Sequence, residues 1–249
     1  MNLMDPYLYD DVPIVRNLLG IKNEEELIIV EAQILIASLL DIDSLLREVD
    51  FFDISSIQKI HYHLFSMIYD WAGDFRKVNI QKSERVLAGM SVQYSDYKNI
   101  PKDLIAVYEW AADVKWNHRN PDLATDFSQF MAKLWKIHPY REGNTRTVAI
   151  YMKFFAQSQG LDFNDQLLSQ NVSYLRDALV MASIGEYSET HYLEKIIHEA
   201  LASNNQQPSQ SEKSEPAKYT SIGEYDVADY QEMPFSIDKR TKKMPDVED

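Results

Sequence analysis

One short stretch concentrates the chemistry of this chain. Residues 137–147 read IHPYREGNTRT, which sets a histidine, a carboxylate, a glycine, an amide, a hydroxyl and a guanidinium between His138 and Arg146. A histidine side chain titrates near neutrality, so His138 suits a general base. Glu142 is a hard oxygen ligand of the kind Mg²⁺ takes beside phosphates. Gly143 lets the backbone approach a bound group closely. Arg146 presents a planar fork that matches phosphate oxygens. If one helix ends near Ile137 and another begins near Thr145, the N–H groups at the second helix's N-terminus face the connecting loop and form an anion site. Anion cradle, metal ligand and base are the parts of phosphoryl or nucleotidyl transfer. Singly, each residue has an ordinary structural role, such as a histidine before proline or a Gly-Asn turn and cap. It is the ordered block that points to chemistry.

The elements that must position this block read as mostly helical. Asn23 followed by Glu24, Glu25 and Glu26 is an N-cap with acids in the first turn. Leu27, Ile28, Val30, Ile34, Leu35, Ala37 and Leu39 then predict a helix with a broad buried face. Asp53 caps a second predicted helix over 54–73, stopped by Gly73. The segment 74–95 loses helical period and predicts a β-hairpin, about 75–94. Pro101 opens a helix through Trp116. Asp122 caps another, to Ile137, whose buried side is Leu123, Phe127, Phe130, Met131 and Leu134. Helices at about 145–159, 165–182 and 189–203 follow. From Asn204 the composition turns to NNQQPSQSEKSEPAK, a disorder-like linker. The reading is thus an N-terminal helical segment over 1–50, a core over 51–203 and a flexible acidic tail over 204–249. SIGEY occurs at 183–187 and again at 221–225. Chance is the ordinary account, and mimicry of the first copy by the tail is the sharper one.

Composition removes several classes. The chain has 249 residues and no cysteine, which excludes thiol catalysis, disulfides and cysteine-ligated zinc and agrees with a reducing, cytoplasmic setting. A net charge of −14 disfavours nucleic acid as the main ligand. The most apolar run, 28–40, is broken by Glu31 and Gln33, is too short for a membrane span and predicts a buried helix. The acidic N-terminus lacks the pattern of a signal peptide.

HPYREGNTRT at 138–147 resembles the Fic (Fic/Doc) signature, usually written H-x-F-x-D/E-G-N-G-R-x-x-R. The similarity extends to DPYLYDD and VRNLLGIKNEEEL near the N-terminus and to DWAGDFRKVNI at 70–80, and covers roughly residues 5–200. The resemblance implies an all-α fold: a helical bundle with a short β-hairpin flap beside the active site. It implies a protein adenylyltransferase that moves AMP from ATP to a Ser, Thr or Tyr hydroxyl of a target protein. By the resemblance, His138 is the base and Glu142 holds Mg²⁺ against the phosphates. Gly143, Asn144 and Thr145 line the anion hole, and Arg146 contacts the distal phosphates. Lys77, Val78, Asn79, Ile80 and Gln81 are the flap positions that hold the target segment by strand addition. The family also contains toxins of toxin–antitoxin pairs, which makes a separate antitoxin protein an expected partner.

Three positions depart from the signature. Tyr140 replaces Phe, which is tolerable if its hydroxyl finds a partner or solvent. Thr145 replaces Gly, harmless if it is simply helical and strained if its φ is positive. Ala149 replaces the second arginine and removes a bidentate phosphate contact. Lys153, one turn on, is an alternative donor. Ala149 keeps open a phosphotransferase, a transferase of another nucleotide, and a degenerate domain that binds a nucleotide or partner. The family's self-inhibitory pattern, Ser/Thr-x-x-x-Glu followed by Gly or Asn, is matched only in spacing by Ser44 to Glu48 and Thr220 to Glu224.

Overall fold

The computed structural model describes residues 5–42, 45, 49–202 and the backbone of 232–234. Among these the helices are α1 (Glu24–Leu39), α2 (Ile54–Phe65), α3 (Ile100–Ala112), α4 (Leu123–Ile137), α5 (Asn144–Ser158), α6 (Asp165–Gln170), α7 (Val172–Met181) and α8 (His191–Ala202). A three-residue strand β1 (Ile80–Lys82) and a 3₁₀ turn (Arg85–Leu87) lie between α2 and α3, and a second strand β2 is Glu232–Pro234. No helix among the described residues is long and apolar enough to cross a membrane.

Helix α4 is the hub, packing on α3, α5, α7 and α8, while α2 joins α1 to α5. Its apolar stripe explains this: Leu123, Phe127, Phe130, Met131 and Leu134 are all buried, as the spacing predicts. Phe130 and Trp116 meet Phe155 of α5 with ring centroids 5.0 and 4.9 Å apart, both edge-on, so aromatic packing as well as area holds α4 to α5. The loop carrying the chemistry runs between these two helices and is therefore fixed at both ends. Trp71, Trp116 and Trp135 are buried anchors.

Several boundaries differ from the sequence expectation. Helix α1 is capped by Asn23, whose side chain accepts from the Glu26 amide, but its buried residues are only Leu27 and Glu31. Ile28, Ile29, Ile36, Leu39 and Leu40 are exposed, because apolar residues surround the helix and α2 covers one stripe. Helix α2 is capped by Asp53 but ends at Phe65 rather than Gly73. Consecutive turns replace its last part, drawn back by His61, whose Nδ1 accepts the Gly73 N–H at 2.8 Å, and by Gln58, which donates to the Gly73 carbonyl. Helix α3 ends at Ala112, and Trp116 instead turns back to donate from Nε1 to the Ala111 carbonyl. Asp122 precedes α4 without a side-chain cap bond. The helix expected over 165–182 breaks at Asn171, whose side-chain amide donates to Leu167 O.

The flap doubles back as expected, but of 75–94 only Ile80–Lys82 is strand. The Glu84 amide donates to Met90 O and the Lys82 amide to Ser91 Oγ, so the returning arm is held by a turn and a hydroxyl rather than a ladder. The partner of β1 is β2. The second SIGEY and both spacing matches to the inhibitory pattern lie outside the described residues or rest on residues beyond them.

Candidate active site

His138 caps the end of α4 in the left-handed conformation, φ 51° and ψ 60°, a geometry that costs a non-glycine residue about 1–2 kcal/mol. The turn folds the imidazole back over the last helical turn. There Nδ1 lies 3.2 Å from the Trp135 carbonyl, which fixes the proton on Nδ1 and makes Nε2 the basic atom. The ring is fully buried and stacks on Tyr94 from the flap at 4.0 Å. Burial holds its pKa well below the ordinary histidine value, and the nearby cations Lys82, Arg176 and Arg76 push the same way. His138 is thus a neutral imidazole.

The loop after it is braced from both sides. Asn144 clamps it, its Oδ1 accepting the Tyr140 N–H and its Nδ2 donating to the Tyr140 carbonyl, each at 2.9 Å. Gly143 has φ +79°, and a Cβ there would lie 2.6 Å from the Phe65 ring, so glycine is required by both backbone and packing. His61 stacks on Tyr140 at 3.7 Å, and its Nε2 lies 3.1 Å from the Glu142 carbonyl. Burial depresses its pKa to about 3, so this is a structural, neutral histidine within the site's support.

Glu142 keeps its side chain partly exposed and receives a bond from Arg141 Nη1 at 3.1 Å. Arg141 is itself fixed by a buried ion pair with Asp5, 2.9 Å. Among the described residues no three His, Asp or Glu side chains gather as a metal site. One accessible carboxylate fits Mg²⁺, which is commonly held by one or two carboxylates together with substrate phosphates and water.

Helix α5 starts at Asn144, and its first internal bond runs from the Thr147 amide to Gly143 O. The amides of Asn144, Thr145 and Arg146 therefore precede the helical ladder and carry the dipole's positive end. Thr145 is helical, not strained. Its hydroxyl accepts from Trp135 Nε1 at 2.9 Å and Arg176 Nη1 at 3.2 Å. Arg146 lies over the Phe65 ring and pairs with Glu31 of α1 at 2.9 Å, with the Tyr69 hydroxyl donating to the same oxygen.

Of the predicted positions, His138, Glu142, Gly143, Asn144, Thr145 and Arg146 converge on this loop. The side chains of Asn144 and Thr145 are committed to holding it. Lys153 pairs instead with Asp165 at 2.7 Å. Among the flap positions, Lys77 is tied through its amide to the Tyr7 hydroxyl, Val78 through its carbonyl to Arg76, and Asn79 to Tyr97 and Asp96. Ile80 and Gln81 belong to the strand. The Tyr140 hydroxyl is buried and has no hydrogen-bond partner.

Sequence reasoning assigned no role to Arg76, Glu84, Tyr94 and Arg176. Arg76 donates from Nε to the His138 carbonyl at 2.8 Å and from Nη2 to the Ser95 carbonyl, tying flap to loop. Buried Glu84 takes Arg176 at 2.8 Å and Tyr94 Oη at 3.2 Å. The available signal was charge in apolar context: Glu31 within IIVEAQILIASLL and Arg176 within a buried helical stripe.

The profile of the Fic/DOC family matches residues 51–156. The chain is 30% identical over 160 residues to "Protein adenylyltransferase VbhT" of Bartonella schoenbuchensis, covering 63% of this chain and 31% of that protein, so it spans under a third of that relative's length. It is 25% identical over 186 residues to "Probable protein adenylyltransferase y4lH" of Sinorhizobium fredii, covering 73% of this chain and 90% of that one. In fold it is similar to the BepC protein of Bartonella tribocorum, solved with bound AMPPNP, with TM-score 0.64, 17% identity, 80% of this chain and 98% of that chain. It is also similar to the FIC domain of Bep8 from Bartonella sp. 1-1C, with TM-score 0.62, 15% identity, 78% of this chain and 94% of that chain.

Proposed function

We propose that the chain, whose residues 51–156 match the profile of the Fic/DOC family, is a protein adenylyltransferase, using ATP to place AMP on a Ser, Thr or Tyr hydroxyl of another protein. The observation that carries this reading is one loop with a neutral, buried imidazole at its start and unladdered helix amides at its end, with a partly exposed carboxylate between. His138 Nε2 takes the hydroxyl proton. The hydroxyl oxygen bonds to the α-phosphorus, the bond to the bridging oxygen of the β-phosphate breaks, and pyrophosphate leaves. The amides of Asn144, Thr145 and Arg146 receive the phosphate oxygens. Glu142 is the residue that would hold Mg²⁺, which when bound offsets the charge of the polyphosphate. Relatives named as adenylyltransferases, and a fold neighbour solved with AMPPNP, support this choice of nucleotide. Action within the cytoplasm, and control by a separate antitoxin protein, belong to the same proposal.

Labelling lysate proteins with ATP carrying label at the α- or γ-phosphate tests it. We expect transfer from the α position only, abolished by His138→Ala. Transfer from the γ position would move the chain to the phosphotransferases. Loss of both, with nucleotide binding retained, would make it a binding domain.

A further inference from the structure

The flap strand is paired by a segment from the far end of the chain. β2 runs antiparallel to β1, with Ile80 opposite Pro234, Gln81 opposite Met233 and Lys82 opposite Glu232. Two independent features specify which main-chain groups meet. The Lys82 amide is taken by Ser91 Oγ at 3.0 Å on the returning arm. Successive residues of a strand direct their N–H and C=O to opposite edges, so those of Gln81 face the edge occupied by Met233. Pro234 has no N–H, so the pair it forms with Ile80 cannot exchange two bonds. Both features make Gln81 and Met233 the hydrogen-bonded pair. Along β1, Ile80 and Lys82 are buried and Gln81 is exposed, so alternate side chains anchor the strand to the body while its main-chain edge pairs with β2.

We infer that this edge of the flap is a main-chain docking edge whose resident occupant is the chain's own segment Glu232–Pro234, and that a target segment must displace it. The displacement clause rests on the target-binding reading of the flap proposed above, while the occupancy does not. Strand addition reads backbone rather than side chains, so a Glu-Met-Pro sequence suffices. Pairing confined to three residues and closed by a proline is weak on its own, and covalent connection to the core supplies the effective concentration that keeps it in place. An extended segment of a substrate protein meets the same edge without that advantage, so only one that binds well gains access.

The cysteine-free chain allows a direct test in the full-length protein. Directly opposed strand residues have Cα atoms about 5.5 Å apart, within disulfide range. In Gln81→Cys/Met233→Cys, oxidation by diamide removes the two thiol hydrogens, reduces the diamide to its hydrazine and forms one S–S bond. We expect an intramolecular disulfide, read by non-reducing electrophoresis and mass, forming at least about tenfold faster than in the off-register control Gln81→Cys/Lys242→Cys. Equal rates, or a disulfide-linked dimer as the main product, overturn the occupancy in cis. In the transfer assay, the oxidised protein should label lysate proteins at least about tenfold less than its reduced form. Unchanged labelling with the disulfide formed overturns the displacement. Absence of labelling even in the unmodified protein sinks the transferase reading, and cross-linking still decides occupancy.

Discussion

At the residue scale the loop is built from positions that tolerate little substitution, with one exception. Gly143 is fixed by its positive φ and by Phe65, and His138 by a left-handed turn that aims Nε2 away from the Trp135 carbonyl. The exception is Tyr140, whose ring packs between His61 and Phe75 while its hydroxyl is buried without a partner. A buried hydroxyl left unsatisfied costs about 1–3 kcal/mol. Tyr140→Phe removes the hydroxyl and keeps the ring, so we expect a gain of about 1 kcal/mol, read as a higher urea midpoint at unchanged m-value. A lower midpoint would mean that the hydroxyl has a partner in solution. The Phe usual in the signature and the Tyr found here thus share one function, filling the space beneath the loop.

At the element scale, α1 reaches beyond the family-matched residues to touch the site. Its Glu31 holds Arg146, and position 149, one turn further along α5, is an alanine. In the proposed nucleotide site, a carboxylate at that distance competes with phosphate oxygens for the same donor. Glu31→Gln keeps the shape and removes the charge. We expect a non-hydrolysable ATP analogue to bind about five- to tenfold more tightly by calorimetry, equivalent to about 1–1.4 kcal/mol. Weaker binding would assign Glu31 the opposite part, orienting Arg146 toward the nucleotide. The rest of α1 exposes Ile28, Ile29, Ile36 and Leu40. Composition alone did not separate that face from the buried one, since apolar residues occur all round the helix.

At the scale of the whole molecule, two neutral histidines are enclosed by the packing of α2, α4 and the flap. Both have folded-state pKa values below the ordinary 6.5, His61 at about 3 and His138 well below its usual value, chiefly through burial. The unfolded chain therefore binds more protons than the native state below pH 6.5, and stability falls as pH falls. Each histidine contributes up to about 1.4 kcal/mol per pH unit to that slope. Asp177 acts in the opposite direction: burial lifts its carboxyl to about 6 from 3.8, so between these values the native state takes up a proton and the slope is reduced. We expect the fall in the urea midpoint to set in near pH 6.5, to steepen as the unfolded histidines become fully protonated, and to settle between pH 6 and pH 5 near the slope of one histidine, because Asp177 offsets the other. His138→Ala should remove one histidine's share of the slope; an unchanged slope would show that the imidazole titrates normally in the native protein.

The sequence by itself determined what is local. Helical periods, the Asn23 and Asp53 caps, the Gly143 turn and the run from His138 to Arg146 rest on neighbours within a few positions, and the structure reproduces the elements they specify. Tertiary structure decided what depends on contacts between distant segments. It ended α2 at Phe65 through His61 and Gly73. It turned Asn144 and Thr145 inward and set Glu31 against Arg146 and Asp5 against Arg141. It also gave β1 a partner at Glu232–Pro234 in place of the adjacent arm of the hairpin. A side chain's type fixes which bonds it can make, but its partner is fixed only when packing brings one within reach and removes the competing water. For that reason the loop from His138 to Arg146 and the turn that opens it were legible in the chain, and the groups that hold them were not.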